Sequence, residues 1–148
     1  MLQFSRILVP VDFSDSSDEA LRYARALAER VGGQLHLLHV LDESIIYGGL
    51  DPLPISVRTE FEQRAAANLA RLATDISPVP ELVTRVGSPF LEIIRYARDA
   101  KIELIVIGTH GHGPIAHLLL GSVAERVVRK APCPVLTVRP SQHEFVMP

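Results

Sequence analysis

The sequence predicts an α/β fold, an open, doubly wound, five-stranded parallel sheet with helices on both faces. Five short runs rich in valine, isoleucine and leucine lack the alternation of half-exposed strands, as is typical of parallel strands buried on both faces. Segments with apolar residues at helical spacing separate these runs. Such segments are long enough to cross the sheet and return the chain to a parallel strand.

The first elements follow each other closely. Arg6–Val11 is a nearly continuous apolar run and predicts the first strand. Ser16–Glu19 has the Ser-x-x-Glu pattern of a capping box, which predicts a helix with Ser16 as its N-cap. Apolar residues recur at helical spacing up to Val31, where Gly32-Gly33 ends the helix. Leu35–Val40 is the second predicted strand.

The middle of the chain begins with a predicted loop. Residues 41–56 hold two glycines and two prolines at positions typical of irregular structure. Apolar residues at helical spacing from Val57 to Ile76 predict the second helix. Glu81–Val86 predicts the third strand.

The last elements repeat the alternation. Ser88–Ala100 starts with an N-cap serine and a proline at the first helical position, which predicts the third helix. Leu104–Ile107 predicts the fourth strand. Ser122–Lys130 begins with a second capping box, which predicts the fourth helix with Ser122 as its N-cap. Pro134–Val138 is the last predicted strand.

Composition limits the class of protein. The 148 residues are 47% apolar, which predicts one compact domain over residues 1–148. A net charge of −2 without a Lys/Arg cluster gives no indication of nucleic-acid binding. No apolar run approaches the ~18 residues of a membrane span, and Cys133, the only cysteine, excludes an internal disulfide. We therefore expect a cytoplasmic protein without membrane or nucleic-acid partners.

A glycine motif between the fourth strand and the fourth helix is the most informative local pattern. It reads Gly108-x2-Gly111-x9-Gly121-Ser122. Glycine lets backbone approach a ligand closely, and successive N–H groups with a helix N-terminus bind phosphate. The alternative is that Gly108 ends a strand and Gly121 precedes a helix, with no ligand.

The carboxyl end of the first strand supplies a second candidate wall. Ligands of open α/β sheets bind beyond the carboxyl ends of strands, where the strand order reverses. Pro10, Val11 and Asp12 occupy such an end. If the first and fourth strands are neighbours, this segment and the glycine motif face one crevice. Asp12 could accept hydrogen bonds from two vicinal hydroxyls, or it could simply begin a loop.

On these residues the chain resembles the single-domain members of the universal stress protein family. The resemblance extends from Ile7–Ser14 to Pro134–Val138, and the glycine motif matches that of the ATP-binding branch without a gap. It implies the strand order 3-2-1-4-5 and a homodimer through the strand at residues 134–139. It also implies binding of ATP, ADP or AMP, with Mg²⁺ or Mn²⁺ bridging the phosphates and no metal ligands from protein side chains.

The resemblance also implies the roles of individual residues. Asp12 matches an acidic residue that contacts the ribose, and Val40 a residue whose backbone meets the adenine edge. Val11 replaces a threonine often found in the family, which removes a hydroxyl from this wall. The complete set of expected nucleotide-contacting residues is Pro10, Val11, Asp12, Val40, Gly108, His110, Gly111, Gly121, Ser122 and Val123.

Three classes of function stay open. The first is a regulatory, ATP-binding stress-response protein with little or no hydrolysis. The second is an enzyme, either a slow ATPase or a nucleotidyl transferase, although the sequence shows neither a P-loop nor an identifiable catalytic residue. The third is a dimeric adaptor without nucleotide. His110, His112 and His117 also suggest a metal site, but no carboxylates accompany them, and an exposed or structural role is the alternative.

Overall fold

A computed structural model describes residues 3–49, 51–109 and 120–139. Its parallel sheet has the order β3-β2-β1-β4-β5, which confirms the predicted fold class and strand order. The strands are β1 (Arg6–Pro10), β2 (Gln34–Asp42), β3 (Glu81–Gly87), β4 (Leu104–Gly108) and β5 (Val135–Val138). The helices are α1 (Asp15–Val31), α2 (Glu43–Tyr47), α3 (Ile55–Leu72), α4 (Pro89–Asp99) and α5 (Ser122–Lys130).

Helices cover both faces of the sheet, which explains why successive residues of β1 from Ile7 to Val9 are apolar. Ile7 and Val9 pack in a core cluster with residues of α1 and α3. Leu8 points to the other face and packs in a second cluster with residues of α4 and α5. All three side chains are fully buried. This two-sided burial also places the helix N-termini at the carboxyl edge of the sheet, because crossover helices run opposite to the strands.

Two helices begin earlier than the capping patterns predict. The N-cap of α1 is Ser14 rather than Ser16, and its hydroxyl accepts from the Ser17 amide at 3.2 Å. The N-cap of α5 is Gly121, whose carbonyl accepts from the Glu125 amide at 2.9 Å, so that Ser122 is the first helical residue. The prediction of Ser16 and Ser122 as N-caps was therefore wrong.

The predicted loop at residues 41–56 contains regular structure. β2 continues two residues beyond Val40, and its last residue, Asp42, pairs with Gly87 of β3. Asp42 is also the N-cap of α2, because its Oδ1 accepts from the Ser44 amide at 2.9 Å. Ile46 of this short helix is buried, which ties the segment to the sheet. Only residues 48–54 match the predicted loop, and residue 50 lies outside the described residues.

Candidate functional site

The carboxyl ends of β1 and β4 lie side by side. The two strands pair in parallel, with Ile7 opposite Leu104 and Leu8 opposite Ile105. β1 also pairs with β2 on its other side, so the strand order reverses between β1 and β4. This is the point where open α/β sheets bind ligands. The first and fourth strands are therefore neighbours, as a single crevice between the Asp12 turn and the glycine motif requires.

Asp12 forms the tip of the turn that joins β1 to α1. Its side chain is exposed, and its Oδ1 accepts from the Ser14 amide at 3.0 Å and from the Ser14 hydroxyl. The Ser14 hydroxyl in turn caps α1 through the Ser17 amide. Asp12 thus has a structural role in starting α1, and this role holds its carboxylate at the edge of the sheet. In that place a carboxylate can accept from a pair of hydroxyls.

Val11 and Pro10 contribute to this edge in different ways. Pro10 is half-buried, whereas Val11 is buried in the core cluster under α1 and α3. The Val11 amide donates to the Leu38 carbonyl at 2.8 Å, and the Val11 carbonyl lies 2.7 Å from Nδ1 of His39. The Val11 side chain therefore belongs to the core.

His39 is a residue of this edge that the sequence interpretation missed. It interrupts the apolar run of β2, and its ring packs against that of Phe13 with 4.6 Å between centroids. A polar residue within a buried strand was the signal that could have drawn attention to it. Val40, the next residue, is half-buried, pairs with Arg85 of β3 and packs against the core under α4 and α5.

Gly108 ends β4 directly beneath the first turn of α1. A Cβ at this position would lie 2.4 Å from Oγ and 2.6 Å from the carbonyl oxygen of Ser16. Both distances are far shorter than a normal contact, so packing against α1 requires glycine here whether or not a ligand binds.

The remaining motif residues surround the N-terminus of α5. The Gly121 amide donates to the Thr109 carbonyl at 2.6 Å, which places the start of α5 beside the residue that follows β4. Residues 110–119 of the chain come between these two positions. The predicted site residues His110 and Gly111 lie in this segment, outside the described residues, as do His112 and His117.

The first turn of α5 offers donors to an anion. The amides of Ser122, Val123 and Ala124 precede the first helical bond, from Glu125 to Gly121, and the first amides of a helix have no acceptor within it. Together with the positive end of the helix dipole they favour a phosphate. Ser122 is exposed, and Val123 packs partly into the core under α4 and α5.

The surroundings of Asp12 carry negative charge. Burial, together with the nearby carboxylates of Asp15 and Asp12, raises the pKa of Asp18 above its usual value of 3.8. Among the described residues, no group of three or more histidines, cysteines or carboxylates is placed to hold a metal ion.

One groove in the described part of the chain lies away from this edge of the sheet. It has a volume of about 560 Å³, runs between α1 and α3, and contains none of the predicted site residues. Three arginines and three acids line it, so their charges cancel, and Arg25 Nη1 spans it to Asp75 at 3.3 Å. This pattern is typical of a contact between two helices.

Comparison with known proteins identifies the family of this chain. A model of the universal stress protein family matches residues 3–139. The chain belongs to the universal stress protein family. The universal stress protein MJ0531 of Methanocaldococcus jannaschii is 33% identical over 145 residues, which cover 95% of this chain and 85% of that protein.

Solved structures agree with this assignment. The structure of protein MJ0577, also from M. jannaschii, superposes on this chain with a TM-score of 0.81 at 28% identity. The superposition covers 96% of this chain and 100% of the MJ0577 chain. A universal stress protein crystallised in complex with cAMP superposes with a TM-score of 0.66 at 26% identity, covering 95% and 100% of the two chains. In the described residues of the present protein, no helix has the length and apolar character of a membrane span.

Proposed function

We propose that this universal stress protein is a regulatory module, one domain over residues 1–148, that binds ATP or another adenine nucleotide. The observation that carries the proposal is the pairing of β1 with β4, which brings the Asp12 turn and the N-terminus of α5 to one edge of the sheet. A carboxylate for vicinal hydroxyls and a helix N-terminus for phosphates are the two groups that a nucleotide needs. The relative in complex with cAMP supports an adenine nucleotide as the ligand.

The described residues fit a nucleotide that brings its own metal ion. The amides and hydroxyl at Ser122 would hold phosphate oxygens, and Asp12 would hold the ribose. Mg²⁺ or Mn²⁺ would neutralise charge by bridging the phosphates, as Mg²⁺ commonly does without a protein cage. The other contacts predicted from the family resemblance are Pro10, Val11, Val40, Gly108, His110, Gly111, Gly121 and Val123.

Slow or absent hydrolysis is part of the proposal. Rapid phosphoryl transfer requires a residue that positions the attacking water and cations that stabilise the transferring phosphoryl group. Asp12 is already committed to Ser14 through Oδ1 and sits in an acidic environment, which disfavours a role beside phosphates. Nucleotide occupancy would then determine which partner the protein binds. We expect the protein to work in the cytoplasm.

The test is calorimetric titration of nucleotide-free protein with Mg-ATP, alongside Gly121→Val. Gly121 has φ −57° and ψ 149°, angles that any residue adopts, so the variant should fold. We expect saturable binding by the wild type and loss of at least about tenfold in affinity in the variant, because the side chain obstructs the phosphate approach.

The same samples separate the alternatives. Wild-type protein that folds but gives no heat with ATP, ADP or AMP would favour the nucleotide-free adaptor. Steady release of phosphate at about 1 per second or faster would instead refute slow or absent hydrolysis. Normal binding by Gly121→Val would show that the glycine motif is structural only.

A further inference from the structure

The turn that carries Asp12 is connected to the neighbouring strand by a side chain. The Val11 amide donates to the Leu38 carbonyl at 2.8 Å, which extends the ladder between β1 and β2 by one residue. The next connection is made by His39, whose Nδ1 lies 2.7 Å from the Val11 carbonyl oxygen. A carbonyl oxygen only accepts, so Nδ1 carries the hydrogen and donates it.

Phe13 shows that this turn adopts an unfavourable backbone conformation. Its φ is 61°, in the left-handed region that bulky residues rarely enter. The Phe13 ring packs against the ring of His39 and against the core under α1 and α3. His39 therefore contacts the turn twice, through Val11 and through Phe13. Such conformations persist where the surroundings over-determine them, and they cluster at functional sites.

We propose that His39 is a positioning residue for ribose recognition, which rests on the nucleotide binding proposed above. Ser14 orients the Asp12 carboxylate within the turn, through its amide and hydroxyl. His39 fixes the turn relative to the sheet. The interactions of Ser14 and of His39 are both needed to place the carboxylate. A ligand bound at the N-terminus of α5 is held by an element other than the turn, so the turn must itself be fixed to the sheet for Asp12 to reach the ligand. Without the bond from His39, the strained turn can relax and move Asp12 away from the hydroxyls.

The test compares ATP with 2′,3′-dideoxy-ATP by calorimetry in three proteins. His39→Asn keeps an N–H near the position of Nδ1, whereas His39→Leu keeps apolar volume and removes the donor. We expect the wild type and His39→Asn to prefer ATP by about tenfold or more, the value of a hydrogen bond to a charged group. His39→Leu should lose most of this preference while its affinity for the dideoxy nucleotide stays unchanged. A wild-type preference in His39→Leu would overturn the proposal, as would a complete loss in His39→Asn.

A second measurement does not depend on nucleotide. Amide hydrogen exchange in the ligand-free proteins reports on residues 11–17, whose amides include the bonded ones of Val11, Ser14 and Ser17. Exchange should be faster in His39→Leu than in the wild type and His39→Asn. Equal exchange in all three proteins would refute a positioning role. If the wild type binds neither nucleotide, the proposed function fails, and the exchange result still decides whether His39 holds the turn.

Discussion

Two reasons for a glycine can be distinguished at Gly108, the end of β4: packing, which the structure shows, and a nucleotide contact, which stays a prediction. The family resemblance assigns it a contact with nucleotide, and the structure shows that it also packs against Ser16. One of the atoms that a Cβ would meet is the Ser16 carbonyl oxygen, which belongs to the first turn of α1 and cannot rotate away. Loss of binding in a Gly108 variant would therefore not identify a nucleotide contact by itself.

This packing predicts that Gly108→Ala destabilises the protein without any ligand. Overpacking of a close contact should lower the free energy of unfolding by about 1–3 kcal/mol, measured by urea denaturation. Gly49→Ala is the matched control, because a Cβ there would come no closer than 3.4 Å to the Asp51 carbonyl oxygen. Equal urea midpoints for Gly108→Ala and the wild type would contradict the explanation.

A buried histidine distant from the Asp12 turn makes stability depend on pH. His36 is 8% exposed, and its Nδ1 lies 2.7 Å from the Tyr96 hydroxyl. Burial lowers the pKa of His36 below its usual 6.5; Glu81 opposes this shift and Arg6 adds to it. Between the lowered pKa and 6.5 the unfolded chain binds more protons than the folded one. The contribution of His36 to stability is therefore complete above about pH 6.5 and is lost as pH falls through the folded pKa.

Thermal unfolding between about pH 7.5 and pH 5 measures this loss. His36→Gln should show a smaller fall in Tm over this interval than the wild type, since the substituted side chain does not titrate. Identical slopes in the wild type and His36→Gln would show that other groups cause the pH dependence.

The strands and long helices were predictable because their burial patterns extend over many residues. β1 is apolar from Ile7 to Pro10 since helices cover both faces of the sheet, and the apolar stripe of α1 recurs at helical spacing. Gly32, predicted to end α1, is its C-cap with φ 69°. Such signals are repeated over many residues, so one unusual residue does not erase them.

The errors fall where a single contact decides the outcome. Ser14, Ser16 and Ser17 all lie at the start of α1, and the bonds that Ser14 makes with Asp12 and Ser17 select Ser14 as the N-cap. α2 is a helix of 5 residues, too short for periodicity, and depends on the cap supplied by Asp42. The site follows the same rule. The sequence predicts which strand ends carry the glycines and Asp12, but the approach of Ser16 to Gly108 exists only after the sheet and α1 have packed.

The two edges of the sheet differ in how strongly they resist pairing with another chain. β3 forms one edge and carries Glu81 and Arg85, whereas the residues of β5 at the other edge carry no charge. Exposed, uncharged edge strands are templates for association. Leu136 on β5 is also 41% exposed. β5 is thus the edge on which the proposed homodimer, through residues 134–139, would form.

Hydrogen bonds to β4 identify which residues of β5 would carry the dimer. The Pro134 carbonyl accepts from the amide of Ile105 in β4 at 3.0 Å, and the Val138 carbonyl accepts from the amide of Thr109, just after β4, at 3.1 Å. Peptide groups of successive residues in a strand face opposite sides, so Thr137 directs its N–H and C=O at the open edge. Antiparallel pairing of this edge with its two-fold mate would satisfy both rows of groups.

Thr137→Pro removes a donor from the open edge while leaving the bonds between β5 and β4 in place. We expect light scattering to show a dimer for the wild type at micromolar concentration and a folded monomer for Thr137→Pro, because proline is tolerated on an edge strand but cannot donate. Thr137→Val keeps the backbone donor and changes only the side chain, so it should stay dimeric. A monomeric wild type, or a dimer in Thr137→Pro as stable as that of Thr137→Val, would exclude β5 as the interface. In the sheet formed by the described residues, β4 separates β5 from β1, which leads into the Asp12 turn. The monomer should therefore still bind nucleotide, which separates assembly from ligand binding.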